Sequence, residues 1–245
     1  MRGDQRWGAA LPVAAHAAPA EAAIAPVVRL AERAARRRTL TRESPSGLEG
    51  GGRVDVRDLL RLDASQALVR GSVMHALFEQ VLWLDSRAPA GGVPSSAVLR
   101  DAARRAGAAE AELDAYLLEF RAMLSEGEIA IALRREAYER GGLVAEAHRE
   151  LPFALRRGDA VVSGSIDRLV VRRDANGQAV DAEVLDFKTD RVEGEDGLAR
   201  RVAHYRPQLL AYRAAVARLF GVPESRVRAR LLFVVLGRAV AVDEP

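Results

Sequence analysis

Residues 65–84 (SQALVRGSVMHALFEQVLWL) place Val73, Leu77, Val81 and Leu84 on one row and Met74, Phe78 and Leu82 on the next. Apolar residues three and four apart share a helix face, so this stretch predicts a helix with a wide buried side. A Pro/Gly/Ser-rich loop follows at 86–95, then two or three further helices between 96 and 140, ended by Gly141-Gly142. The period then shortens. Residues 143–156 read as extended, and the valine-rich run 159–173 alternates as a strand. Asp174-Ala175-Asn176-Gly177 forms a turn, and 179–189 is the next strand. Residues 201–220 return to helical spacing, and 228–236 is a last, fully apolar strand. Helices, three strands, a helix and a strand predict an α/β domain, with a mixed sheet flanked by helices in an α+β arrangement.

The first 54 residues read differently. Residues 1–26 are rich in alanine and proline without a hydrophobic period and predict a linker or disordered tail. Residues 27–38 predict a short basic amphipathic helix, and 39–53, with Ser44-Pro45-Ser46-Gly47 and three consecutive glycines, a loop. The expected division is therefore a tail at 1–54 and an ordered domain at 55–245. No apolar run approaches 18 residues, so no membrane span is expected, and Met1 to Ala10 lacks the apolar core of a secretory signal. There is no internal repeat and no GxxxxGK[ST] phosphate loop.

Composition narrows the chemistry. With 49% hydrophobic residues the chain can build a real core. It has no cysteine, which removes disulfides, thiolate zinc sites and iron–sulfur clusters and fits a reducing, cytoplasmic setting. The net charge of +3 is compatible with nucleic acid without demanding it. Arg33, Arg36, Arg37, Arg38 and Arg42 form the densest basic run; a solvated helix face and a patch for a phosphate backbone both remain open there. Among 37 lysines and arginines there is one lysine, Lys188. A compact ammonium on a thin stem differs from a broad planar fork, so a single surviving lysine suggests a position that arginine does not serve.

That lysine lies in the hairpin. Asn-Gly between two strand-like runs is a strong hairpin signal. With Asn176 and Gly177 as a two-residue loop, counting outward sets Ala175 against Gln178, Val171 against Ala182, Leu169 against Val184 and Asp167 against Asp186. Lys188 then shares the face of Asp186. Like charges opposite one another weaken a sheet and resist burial. A divalent cation with a taste for hard oxygen ligands, Mg²⁺ or Mn²⁺, would offset both effects. Taken alone, the hairpin also allows another register with both acids in solvent, but Leu185 and Phe187 around Asp186 speak for a buried strand.

These residues resemble a known family. Gly164-Ser165-Ile166-Asp167 followed by Leu185-Asp186-Phe187-Lys188-Thr189-Asp190 is similar to the GxxD … hDhKT(D) signature of PD-(D/E)xK nucleases, with aspartate in the second acidic place. Upstream, Arg70-Gly71-Ser72-Val73-Met74-His75-Ala76-Leu77-Phe78-Glu79 resembles the RGxxxHxxxE helix of RecB-type nuclease domains. Glu150-Leu151-Pro152-Phe153 resembles their ExPF element, and Tyr205-Arg206-Pro207-Gln208-Leu209-Leu210-Ala211-Tyr212 their YxxQLxxY helix. The four elements keep their order across residues 70–212. The run at 44–49 resembles the segment that joins motor to nuclease in AddA-type proteins.

The resemblance implies a restriction-endonuclease-like PD-(D/E)xK core. It implies Mg²⁺-dependent hydrolysis of DNA phosphodiester bonds, exonucleolytic rather than endonucleolytic, in double-strand-break repair and recombination. The implied partners are DNA, a UvrD/Rep-like helicase motor and an AddB-type subunit, with this chain either a separate subunit or part of a longer protein. Subtypes holding an iron–sulfur cluster, including stand-alone nucleases of CRISPR adaptation, need cysteines that this chain lacks. The alternative reading is a catalytically silent DNA-binding or scaffold module of the same fold, against which the intact Asp167, Asp186 and Lys188 argue.

By the same resemblance His75, Asp167 and Asp186 are metal ligands, and Lys188 orients the attacking water or steadies the scissile phosphate. A lone helical histidine is otherwise a partly buried packing residue. Glu79, one turn after His75, is an accessory that orients the imidazole or a surface acid. Gly71 either admits a close backbone approach or starts the helix. Glu150 is a further site acid or a strand-edge charge. Tyr205, Gln208 and Tyr212 form one helical stripe: Tyr205 and Gln208 reach the site or the DNA phosphates, and Tyr212 is the one that packing alone would explain.

Overall fold

The structure, a computed structural model, describes residues 41–48, 62–85, 88–125 and 127–242. The basic run at 27–38 lies outside the described residues. Helices α1 (Leu62–Glu79), α2 (Ser96–Arg105), α3 (Leu113–Ser125) and α4 (Glu128–Leu133) come first, and the long α5 (Gly194–Phe220) comes after the central strands. A six-stranded mixed sheet contains β1 (Thr41–Glu43), β2 (Val144–Arg157), β3 (Ala160–Arg173), β4 (Ala179–Lys188), β5 (Val227–Phe233) and β6 (Arg238–Ala241). No described helix is long and apolar enough to cross a membrane.

Each face of the sheet carries its own core. On one face Val73, Met74, Leu77 and Phe78 of α1 and Phe120 of α3 pack against Val170, Leu185, Phe187 and Leu232. On the other, Leu209, Tyr212, Ala215 and Val216 of α5 cover Leu169, Val171, Val184, Leu231 and Phe233. The α/β expectation of a mixed sheet between helices therefore holds. Phe78 links the first core, stacked on Phe187 at 4.5 Å between ring centres and edge-on to Phe120 at 5.0 Å.

The hairpin differs from expectation at its tip and agrees in its body. Leu169 pairs with Val184 and Val171 with Ala182, as the counting predicts. The two-residue loop does not form. Asp174 draws the chain into a wider turn, its carboxylate accepting the N–H groups of Asn176 and Gln178, both at 2.9 Å. Arg173 pairs with Ala179, and a bulge between Arg172 and Arg173 takes up the slip. One extra residue at the tip and one bulge cancel, which leaves the deep register unchanged.

Two strands escape the sequence reading. β1 lies in the stretch read as loop, and β6 follows the last predicted strand. Each is too short to show a period, and each exists because a neighbour offers an open edge: β3 for Thr41–Glu43, β5 for Arg238–Ala241. α5 also begins seven residues earlier than its apolar spacing indicates.

β2 pairs with β3 along its whole length, so every other partner of β3 must use the opposite flank. On that flank β1 takes residues 160–162 in parallel and β4 takes residues 168–173 in antiparallel fashion. Residues 163–167 between them have no strand partner on that side among the described residues. β4 departs after Leu185 yet continues beside β5 through Lys188. The sheet therefore forks at Asp167 and Asp186, the kind of parting of neighbouring strands where α/β folds place their ligands.

The segment after β1 closes one side of this fork. Pro45 is buried against Gly164, where an added Cβ would stand 3.0 Å from the proline Cδ and 3.4 Å from the Phe153 ring. Gly164→Ala is therefore expected to overpack this contact at a cost of about 1–3 kcal/mol, a fall in melting temperature of roughly 2–4 °C per kcal/mol for a chain of this size. Thermal melting by circular dichroism checks it, and an unchanged midpoint would mean that Pro45 is not seated there in solution.

Candidate metal and catalytic site at the strand fork

Asp186 is 2% exposed and lies on the α5 face of β4. The ammonium of Lys188 stands 2.8 Å from its Oδ2. Among the described residues no other side chain or backbone group bonds that buried oxygen. A buried carboxylate oxygen with unused lone pairs is costly in a closed protein and apt for a cation.

Asp167 occupies the strand opposite. Instead of a ladder bond between backbones, its Oδ2 accepts the N–H of Phe187 at 3.0 Å, bridging the two strands as they part. Burial, and then the Asp186 charge, push its carboxyl well above the ordinary aspartate range, against the opposing pull of the Phe187 N–H. The same Oδ2 is 3.4 Å from Nδ1 of His75. Burial is also the main cause that lowers the pKa of His75, ahead of the Asp186 charge, which raises it. The imidazole is thereby kept neutral with a lone pair to offer.

α1 brings His75 to this point through two contacts. Gly71 approaches the end of β4 so closely that a Cβ there would meet Thr189 Oγ1 at 3.2 Å, which decides for close approach over a helix-start role. Arg168, 1% exposed on β3, donates to the carbonyls of Val81 and Leu82 just beyond α1 and lies over the Trp83 ring at 4.9 Å. Burial lowers its pKa to about 10, still a cation at neutral pH. Arg168 thus ties the end of α1 to the strand that carries Asp167. Nothing in the sequence pattern marks it for this task.

Glu150 belongs to the fork as well. It stands in β2 between Arg149, paired with Arg168, and Leu151, paired with Ile166, and so lies across from Asp167. Its φ of 46° is left-handed, uncommon for a residue with a side chain. There the ribbon of β2 and β3 changes face: Ala145 and Val170 turn to the α1 side, Phe153 and Ile166 to the α5 side. Ser165 Oγ donates to Glu150 at 3.0 Å, while burial raises the Glu150 pKa. Glu150, though exposed, thus lies beside Asp167 at the fork. Glu79, like Glu150, is exposed; among the described residues no hydrogen bond joins its carboxylate to His75, and its backbone carbonyl accepts from Arg149 at 2.8 Å.

α5 supplies the remaining wall. Gln208 Oε1 accepts from Lys188 at 3.1 Å, and its Nε2 donates to the Tyr212 hydroxyl at 3.1 Å. The Tyr205 ring lies 4.0 Å from the Lys188 ammonium, and its hydroxyl donates to Asp190 at 2.9 Å. Tyr205, Gln208 and Tyr212 are thus a connected set around Lys188, with Tyr212 also edge-on to Phe153. Asp190, though within the motif, carries no role that sequence alone reveals.

Among the described residues no three histidine, aspartate or glutamate side chains close around a point as a finished metal cluster. The donors nevertheless suit a hard divalent cation: two neighbouring carboxylates, one of them fully buried, and a neutral imidazole.

The family model for the PD-(D/E)XK nuclease superfamily matches residues 48–244. No curated protein matches the chain.

A carboxyl whose folded-state pKa is raised lowers stability progressively as pH rises from the unfolded value through the folded one. Metal-free Asp167→Asn is therefore expected to melt a few degrees above wild type at neutral pH, since the amide oxygen still accepts from Phe187. The variant should also lose part of the fall in stability with rising pH. Melting in EDTA across pH 4–8 checks it, and a lower midpoint for the variant at neutral pH would contradict it.

Proposed function

We propose that this chain, which belongs to the PD-(D/E)XK nuclease superfamily, is a Mg²⁺-dependent deoxyribonuclease that hydrolyses DNA phosphodiester bonds at the β3–β4 fork. The observation that carries this reading is the buried carboxylate of Asp186 at the fork beside Asp167, with the chain's single lysine 2.8 Å from its Oδ2. Here carboxylate and ammonium are held close while the oxygen retains lone pairs for another ligand.

Asp167, Asp186 and His75 would hold Mg²⁺, with Mn²⁺ as a substitute. The bound ion would supply Lewis-acid stabilisation of the phosphate and a lowered pKa for a ligated water. The protein's own contributions are positional. The bridge from Asp167 to the Phe187 N–H fixes the separation of the two strands and hence of the two carboxylates. Burial keeps His75 unprotonated, so its Nδ1 does not repel a cation. Gln208 and the Tyr205 face hold Lys188 without neutralising it, leaving a full positive charge to orient the nucleophile or steady charge gathering on the phosphate oxygens. Glu150, opposite Asp167, adds a third carboxylate to the fork.

The order of the four sequence elements around the fork favours a nuclease module of RecB/AddA type, exonucleolytic and working in double-strand-break repair. In that setting a UvrD/Rep-like helicase motor and an AddB-type subunit would be its partners. The test is cleavage of labelled linear single- and double-stranded DNA with Mg²⁺ or EDTA, comparing wild type with Asp186→Ala and Lys188→Ala. Each variant is expected to lose about 10²-fold or more of the rate, the scale of removing one preorganised charge-stabilising group. Cleavage that survives both substitutions would move the site elsewhere, and a folded wild-type protein that binds DNA without cutting it would favour the silent scaffold reading.

A further inference from the structure

Lys188 is held by more than its immediate neighbours. A lysine side chain has about 2 kcal/mol of rotamer entropy to lose, and a charge-stabilising ammonium contributes only when it is in place before the reaction. Of the three groups around Nζ, Asp186 is an anion and Gln208 is fixed by Tyr212. The third, the Tyr205 ring, holds the cation through its negative face at 4.0 Å. A ring does this well only if it is kept square to the ammonium. The Tyr205 hydroxyl is tied to Asp190 Oδ2 at 2.9 Å, and Asp190 Oδ1 is in turn 3.4 Å from Nε of Arg201, one turn earlier on α5. Donation of the phenol proton toward a carboxylate also pushes electron density into the ring, which deepens its negative face.

We infer that Asp190 is a positioning residue for Lys188, acting through Tyr205, with Arg201 anchoring the Asp190 carboxylate. The inference rests on the reading of Lys188 as a catalytic group. Asp190 is two residues beyond Lys188, at the point where the chain leaves β4 and heads for α5. The carboxylate therefore joins the end of the strand to the helix that carries Tyr205 and Gln208. It sets the distance between the ammonium and the wall that holds it.

The test uses the whole chain and exploits its single lysine: labelling lysine with ¹³C at Cε yields one side-chain signal, that of Lys188. The Tyr205 face should displace this signal upfield. Asp190→Ala and Tyr205→Phe remove the same hydrogen bond from its two ends. Both are expected to move the lysine signal part of the way toward its position in Tyr205→Leu. In cleavage assays both should lower kcat about ten-fold with KM little changed, the pattern of an interaction expressed in the transition state. Combining Asp190→Ala with Tyr205→Phe should add nothing to either alone. If Asp190→Ala destabilises the fold, Tyr205→Phe, a smaller change, carries the same comparison. The inference is overturned if both variants leave the lysine signal in place. It is also overturned if Asp190→Ala lowers kcat by the same factor in the Tyr205→Leu background as in wild type, since that is what a purely structural role would do. A wild-type chain without metal-dependent cleavage would instead remove the catalytic reading, and the lysine signal would still report whether Asp190 positions the side chain.

Discussion

Two carboxylates kept close across a parting in a sheet are the constraint around which this protein is arranged. Left to themselves, Asp167 and Asp186 would separate, slip register or turn to solvent. None of these is open to them. Leu169, Val170, Val171, Val184 and Leu185 are fully buried in the paired stretch just before the fork, so a one-residue slip would turn both core faces inside out. Beyond it, β5 keeps hold of Asp186 and Lys188. The unfavourable pair is thus held by apolar packing on both faces, and its free energy is available to whatever ligand relieves it.

Much of this was legible in the sequence because it depends on period and local chemistry. The α1 stripe, the two long strands and the pairing of Leu169 with Val184 follow from alternation and one turn signal. The pairing holds although the turn is not the two-residue loop that Asn-Gly predicts: the Asp174 side chain, which takes the Asn176 and Gln178 amides, widens the tip, and a bulge restores the count. Other features depend on relations that no local pattern encodes. The left-handed backbone of Glu150 belongs to the change of face of a long two-stranded ribbon, and the bond between Tyr205 and Asp190 depends on the phase of α5 relative to a strand end. Arg168 resembles any other arginine in the sequence, and only the tertiary fold shows it gripping the chain beyond α1.

The contrast between Arg168 and Lys188 explains why one position kept lysine. Arg168 serves two carbonyls and an indole face at once, a task for a planar fork with several donors. Lys188 occupies a socket bounded by a carboxylate, an amide oxygen and a phenol ring, all within 4.0 Å of one nitrogen. A guanidinium would not centre on those three at once, and its charge would be spread away from the point where they converge.

The contact of Pro45 with Gly164 bears on where this domain begins as a physical object. Sequence similarity to the family sets in at residue 48, whereas among the described residues strand pairing already includes Thr41. A domain cut to the similarity border would bare the flank of β3 at residues 160–162, an open edge of the kind that recruits foreign strands. It would also empty the seat beside Gly164, a few residues from Asp167. The unit that can be moved between proteins, or split from a longer one, thus includes a short strand outside the region that similarity marks.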